Sequence, residues 1–144
     1  MKIEIMNESH LSEVAQIAKD SLPDAWSEQA FADELKNESA TVFVALSGDE
    51  VIGFGGVQQV LDEAYITNIA VKKECRKQGA GNALISAIIN HCKGSSFVTL
   101  EVRVSNFAAI KLYEKSGFVS QGIRKGFYSH PIEDANIMTL FLGE

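Results

Sequence analysis

The spacing of apolar and polar positions changes several times along the chain, and each change marks an element. "KIEI" (residues 2–5) alternates and reads as a strand. In "HLSEVAQIAKDSLP" Leu11, Val14, Ala15 and Ala18 recur at helical spacing, and Pro23 ends that helix near Leu22. "AWSEQAFADEL" opens a second helix, with Ser27 as N-cap and Trp26 ahead of it placed to close on Phe31 as a hydrophobic staple. "TVFVALSGDEVIGFGGVQQV" reads as two strands around an SGDE turn and "AYITNIAV" as a third; all are rich in β-branched residues, and an antiparallel meander is their simplest pairing.

The second half continues the pattern. "AGNALISAIINHC" places Leu84, Ala87, Ile88 and His91 on one helical stripe with Ile85 and Cys92 beside it, which predicts a buried helix. "FVTLEVRV" alternates, "NFAAIKLYEKSG" is a short helix stopped by Gly117, and "FVSQGI" and "ANIMTLFL" supply two last strands. The order β-α-α-β-β-β-α-β-α-β-β predicts an α/β (α+β) fold: a mixed, mostly antiparallel sheet with helices on both faces. With no repeat, low-complexity tract or linker, residues 1–144 read as a single domain.

Composition narrows the function classes. The chain has 144 residues, 46% hydrophobic and 22% charged, enough for a substantial core. Thirteen Lys and Arg against nineteen Asp and Glu leave a formal charge of −6, which argues against a nucleic-acid partner and suits a cationic one. No apolar run has the length of a membrane span, so the expectation is a soluble, cytoplasmic protein without a membrane partner. Cys75 and Cys92 lack CxxC or zinc spacing and read as free thiols. His10, His91 and His130 lack metal-ligand spacing as well, and no metal is expected.

"RKQGAG" (76–81) is the most informative stretch. It lies between a strand ending near Val71 and a helix beginning near Gly79, so unpaired backbone N–H groups gather at a positive helix end beside Arg76 and Lys77. This is neither a Walker loop, which needs GKS or GKT, nor a dinucleotide fingerprint, because Leu84 stands where the third glycine would fall. Taken alone, the stretch reads equally well as a phosphate cradle or as a glycine turn with a solvated charge pair.

The surrounding sequence adds to this. Arg-x-x-Gly-x-Gly in "ITNIAVKKECRKQGAGNALI", followed by "NFAAIKLYEKSGF", resembles the two signatures of the Gcn5-related N-acetyltransferase (GNAT) superfamily. "AWSEQAF", "VLDEAYITNIAV", "LEVRVSNFAAIKLYEKSGF" and "EDANIMTL" extend the likeness over nearly the whole chain, toward the branch that acetylates the N-terminal alanine of ribosomal proteins. The resemblance implies acetyl-CoA as co-substrate, with Ile69, Ala70 and Val71 holding its acetyl-pantetheine arm. Arg76, Lys77, Gln78, Gly79, Ala80 and Gly81 then bind its pyrophosphate, and Asn106 makes a further contact. It implies Glu101 as general base, Tyr113 as general acid and a protein N-terminal peptide as partner, on a chain expected to be a monomer or weak dimer. One segment departs from the branch: where two adjacent tyrosines follow its basic pair, this chain has "RKGFYSHP", with Phe127, Tyr128, Ser129 and His130 before Pro131.

Chemistry supports the assignment from the residues themselves. An α-amine has a pKa near ~8 and must lose a proton before it attacks a thioester, work that a carboxylate can do. Alternation in "FVTLEVRV" sends Val98, Leu100, Val102 and Val104 to one face and Phe97, Thr99, Glu101 and Arg103 to the other, where Arg103 is placed to keep Glu101 ionised. A tyrosine hydroxyl can protonate the departing thiolate, and Tyr113 lies seven residues from Asn106, almost two helical turns, with Ile110 between them. By position alone Glu101 also reads as a surface carboxylate paired with arginine, and Tyr113 as a core tyrosine. Cys75 beside two cations suggests an acetyl-enzyme, but no His or Asp partner stands at a recognisable spacing, so direct transfer is the reading. Asp62, Glu63, Glu133 and Asp134 are acidic loop candidates for attracting a cationic peptide. A small-amine acetyltransferase and a non-catalytic acyl-CoA sensor are the alternatives.

Overall fold

The computed structural model describes residues 1–143 and realises the elements in the expected order. They are β1 (Lys2–Ile5), α1 (Leu11–Ser21), α2 (Glu28–Glu34), β2 (Ala40–Ser47), β3 (Glu50–Val60), β4 (Glu63–Val71), α3 (Ala80–His91), β5 (Phe97–Arg103), α4 (Phe107–Lys115), β6 (Val119–Ser129) and β7 (Ile132–Phe141). One seven-stranded sheet runs β1-β2-β3-β4-β5-β7-β6. Every neighbouring pair is antiparallel except β4 with β5.

Local sequence fixes the helix ends. Ser27 Oγ accepts the Ala30 N–H at 3.1 Å, and Trp26 closes on Phe31 with ring centroids 5.4 Å apart, so cap and staple both form. Such a cap stabilises a helix by about 1 kcal/mol. Gly117, at φ +101°, stops α4 in a conformation that costs other residues strain.

Two cores lie on opposite faces of the sheet. Beneath α3 and α4, fully buried Leu84, Ile85 and Ile88 meet Val98, Leu100 and Val102 of β5 together with Met138. Beneath α1 and α2, Val14, Ile17, Ala18 and Phe31 meet residues of β2, β3 and β4, and Phe31 packs edge-on to Phe54. Cys92 is a core thiol, pushed up to about 11 by burial. His91 differs from the expectation: it is exposed at the end of the α3 stripe, its ring edge on Phe43 and its Nε2 3.1 Å from Thr41 Oγ1.

The last hairpin is longer than the spacing predicted. The strand read as "FVSQGI" runs on through the segment that departs from the branch and continues β6 to Ser129, with Tyr128 opposite Glu133 and Ser129 opposite Ile132. A register shift between Arg124 and Tyr128, around Gly126 at φ +62°, breaks the two-residue alternation and hides the strand from a periodicity reading.

Candidate active site

Parallel pairing of β4 with β5 covers only Glu63 to Tyr65 against Phe97 to Thr99. Beyond it the strands part. β5 stays paired with β7 as far as Arg103 opposite Ala135, while residues 66–71 have no strand partner on their β5 side among the described residues. A bulge at Thr67, between the Gly56–Asn68 and Val57–Ile66 pairs, bends β4 at that point. Backbone N–H and C=O groups along such an edge need partners from elsewhere. Two adjoining cavities open at the gap.

The larger, about 510 Å³, is walled by Ile69, Ala70 and Val71 on one side and by Arg76, Lys77 and the start of α3 on the other. Of the loop residues expected there, Gln78 does not line it. Gly79 is the N-cap of α3 at φ +91° and Lys77 also has positive φ, +65°. Among the described residues no side chain caps α3, and the N–H groups of its first turn, which have no acceptors within the helix, carry the positive end of its dipole. Arg76 is partly committed: its Nε donates to the Val71 carbonyl at 3.0 Å and its Nη2 reaches Ser21 Oγ at 3.5 Å. The two glycines do different work. A Cβ on Gly79 would meet open space, so that glycine serves the left-handed turn, whereas a Cβ on Gly81 would stand 2.9 Å from Leu112 Cδ2. Gly81 therefore lets α3 approach α4.

The smaller cavity, about 250 Å³, has Glu101 and Tyr65 on its floor, Leu22, Pro23 and Trp26 along one wall, and Phe127 and Tyr128 along the other. Ser21, Leu22, Ile69, Asn106, Ala109 and Tyr113 line both cavities and mark where they join. Asn106 caps α4 by accepting the Ala109 N–H at 3.2 Å, which fixes the helix that carries Tyr113. Tyr113 is 4% exposed, and burial, followed by the nearby Tyr128, raises its hydroxyl above the usual tyrosine range. It is a phenol, not a phenolate, at neutral pH.

Glu101 faces the smaller cavity as the alternation of β5 predicts, but its neighbours differ from expectation. The hydroxyl of Tyr65 donates to Oε1 of Glu101, and Nη1 of Arg124 lies 3.7 Å from Oε2. Arg103 does not reach Glu101. It pairs instead with Asp24 at 2.8 Å and Glu133 at 3.1 Å and stacks on Tyr128, with 4.2 Å from its guanidinium carbon to the ring centroid. Three of the acidic loop candidates are bound within the fold: Glu133 to Arg103 and to the Ser105 N–H, Asp134 to the Gly126 N–H, and Asp62 to Ser96 Oγ. Cys75 lines the larger cavity.

The spacing did not single out Tyr65, Arg124 or Asp24. Tyr65 had a signal, since it shares a sheet face with Thr99 and Glu101 once β4 and β5 are paired in parallel, but the periodicity of β4 does not reveal that pairing. Arg124 and Asp24 reach the site through tertiary packing alone.

Comparison with known proteins agrees with this architecture. The chain is 40% identical over 119 residues to the [ribosomal protein bS18]-alanine N-acetyltransferase of Escherichia coli (strain K12), covering 80% of each chain. It is 36% identical to the protein of that name from Salmonella typhimurium, over 96% of this chain and 95% of the other. The crystal structure of the ribosomal-protein-S18-alanine N-acetyltransferase from Escherichia coli superposes with a TM-score of 0.90 at 35% identity, covering 99% of this chain and 94% of that one. The sequence profile of the acetyltransferase (GNAT) family matches residues 11–118, and the chain belongs to that family.

Proposed function

We propose that the chain moves an acetyl group from acetyl-CoA to the α-amine of a protein N-terminus in the cytoplasm, with the N-terminal alanine of a small-subunit ribosomal protein as acceptor. The observation that carries this is the junction of the two cavities: Tyr113 lines both, Glu101 lines the smaller, and the unpaired edge of β4 runs between them. The larger cavity receives acetyl-CoA, the co-substrate of the family, in this reading. The first turn of α3 and Lys77 offer N–H groups and charge to the pyrophosphate, while Ile69, Ala70 and Val71 offer backbone groups to the pantetheine arm.

The residues then take these roles. Glu101 removes a proton from the α-ammonium, and the freed amine nitrogen attacks the thioester carbonyl carbon. A C–N bond forms, and the carbonyl oxygen takes up the electron pair. When the tetrahedral intermediate collapses, the C–S bond breaks, the sulfur takes a proton from the Tyr113 hydroxyl, and the former amine nitrogen gives up its second proton, which by way of solvent restores the Tyr113 hydroxyl. An α-amine near ~8 needs far less help to lose its proton than a lysine near ~10.4, which suits a site with one carboxylate base. Acetyl passes directly between the two substrates, without Cys75.

A competition assay tests this reading. Equal amounts of an Ala-starting ribosomal peptide, the same peptide with a blocked N-terminus and a free lysine, and spermidine are offered with acetyl-CoA, and mass spectrometry locates the label. Acetyl on the alanine nitrogen is the expected result. Preferential labelling of spermidine or of the lysine moves the protein to a small-amine or lysine-acetylating role, and binding of acetyl-CoA without any turnover makes it a sensor.

A further inference from the structure

We propose that Arg103 is a positioning residue that ties the two walls of the acceptor cleft at a fixed separation and thereby selects a small first residue on the acceptor; the selectivity rests on the acceptor reading above, the tie does not. Arg103 rises from β5 two residues beyond Glu101, on the same sheet face, and its side chain is only 12% exposed. Its guanidinium is saturated at both terminal nitrogens. Nη2 donates to Asp24 Oδ2 at 2.8 Å and to the His130 carbonyl at 3.2 Å, while Nη1 donates to the Pro131 carbonyl at 2.9 Å and to Glu133 Oε1 at 3.1 Å. One flat face lies on Tyr128.

These partners belong to two separate segments. Asp24 sits in the connection between α1 and α2, which supplies Leu22, Pro23 and Trp26 to one wall, and residues 130–133 span the turn of the β6–β7 hairpin and the start of β7, with Tyr128 and Phe127 of the same hairpin on the other wall. Among the described residues Arg103 is the only side chain with polar contacts to both segments. The planar, forked guanidinium suits this junction, since a lysine ammonium supplies neither the fork nor the stack. The hold is unequal. On the hairpin side Arg103 has three polar contacts and a stacked ring, and Glu133 is itself anchored by the Ser105 N–H at 2.8 Å. On the other side there is one ion pair, to an Asp24 that is 42% exposed. Loss of that pair frees one wall, and loss of Arg103 frees both.

Hydrogen exchange and acceptor kinetics on Arg103→Gln, Arg103→Lys and Asp24→Asn test the proposal, with peptides that differ only in a first residue of Ala, Met or Phe. In Arg103→Gln, residues 22–27 and 130–133 exchange faster together; in Asp24→Asn only 22–27 do. The preference for Ala over Phe in kcat/KM falls about tenfold in Arg103→Gln, the scale on which hydrophobic pockets discriminate. The change lies in KM, with kcat for the Ala peptide and affinity for acetyl-CoA held close to wild type. Arg103→Lys restores part of the preference. Asp24→Asn, an exposed isosteric change, keeps the test open if the Arg103 variants do not fold. Unchanged exchange in Asp24→Asn overturns the tie, and equal losses for all three peptides reduce Arg103 to a structural residue. A wild-type protein that acetylates none of the peptides overturns the acceptor reading and the selectivity with it, and the exchange data then decide the tie alone.

Discussion

The hydroxyl of Tyr65 on β4 donates a hydrogen bond to Oε1 of Glu101 on β5, and the two meet because Tyr65 is paired with Thr99 where β4 and β5 run parallel. Burial, reinforced by Glu101, raises the Tyr65 hydroxyl above the usual tyrosine range, so it stays a donor. In the proposed mechanism, with Oε1 held by Tyr65, Oε2 is the oxygen left to take the amine proton. Tyr65→Phe removes the support and leaves the proposed base, so turnover falls about tenfold, while Glu101→Gln removes that base and costs on the order of 10²–10⁴. Steady-state kinetics rank the two variants. A Glu101→Gln enzyme no slower than Tyr65→Phe places the base elsewhere.

Tyr113 gives a prediction with two readouts. Tyr113→Phe loses turnover on the order of 10²–10⁴ while acetyl-CoA still binds, as calorimetry will register. The second readout is stability at high pH. The folded-state hydroxyl lies above its ordinary value of 10.0, so the contribution of the neutral, buried phenol is fully present below pH 10 and is lost as pH rises through the folded value. Urea midpoints measured on either side of pH 10 fall with pH more steeply in wild type than in Tyr113→Phe. Equal slopes contradict the burial that defines this residue.

Much of the molecule was readable from the chain because its signals are local. The Ser27 cap, the Trp26–Phe31 staple and the Gly117 stop each depend on residues within a few positions of one another, and all three form. The facing of Glu101 follows from a two-residue period without interruption on β5. Where the period breaks, the reading failed: the Gly126 bulge concealed half of β6 and made Tyr128 look like part of a loop. Arg103 shares a face with Glu101, as the alternation required, yet it turns to Asp24 and Glu133, which enter from distant parts of the chain. Facing is set by the backbone, but the choice of ion-pair partner is settled by tertiary packing.

The glycines of the proposed cofactor loop separate two effects. Gly79→Ala meets no neighbour but holds an L side chain at φ +91°, a strain of roughly 1–2 kcal/mol that lowers the melting temperature and loosens the α3 terminus. Gly79→Arg adds bulk at the mouth of the cavity and blocks acetyl-CoA. Gly81→Ala acts through contact: its Cβ meets Leu112 Cδ2, the flexible end of a half-buried side chain, which turns aside at a cost of about 1 kcal/mol, and Leu112→Ala in the same chain relieves it. A thermal-melt cycle that comes out additive for Gly81 and Leu112 refutes the contact. Unchanged acetyl-CoA affinity in a folded Gly79→Arg protein refutes the loop assignment.

Glu133 makes the cleft sensitive to acid. Hydrogen bonding from Ser105, then from Arg103, holds its carboxyl below the ordinary 4.5, with burial opposing. For a carboxyl whose folded value is depressed, the stabilisation is complete above the unfolded value and disappears as pH falls through the folded one. The charge on the Glu133–Arg103 contact therefore persists at pH 4.5 and is lost as pH falls further, and Glu133→Gln, which carries no charge to lose, removes that part of the acid dependence. Urea midpoints recorded from pH 6 downward should fall more steeply below pH 4.5 in wild type than in the variant, with exchange at residues 130–133 rising over the same interval. Parallel curves for the two proteins would mean that Glu133 has the same proton affinity folded and unfolded, and the charge of Arg103 would then have to be balanced on the hairpin side by the carbonyls of His130 and Pro131 alone.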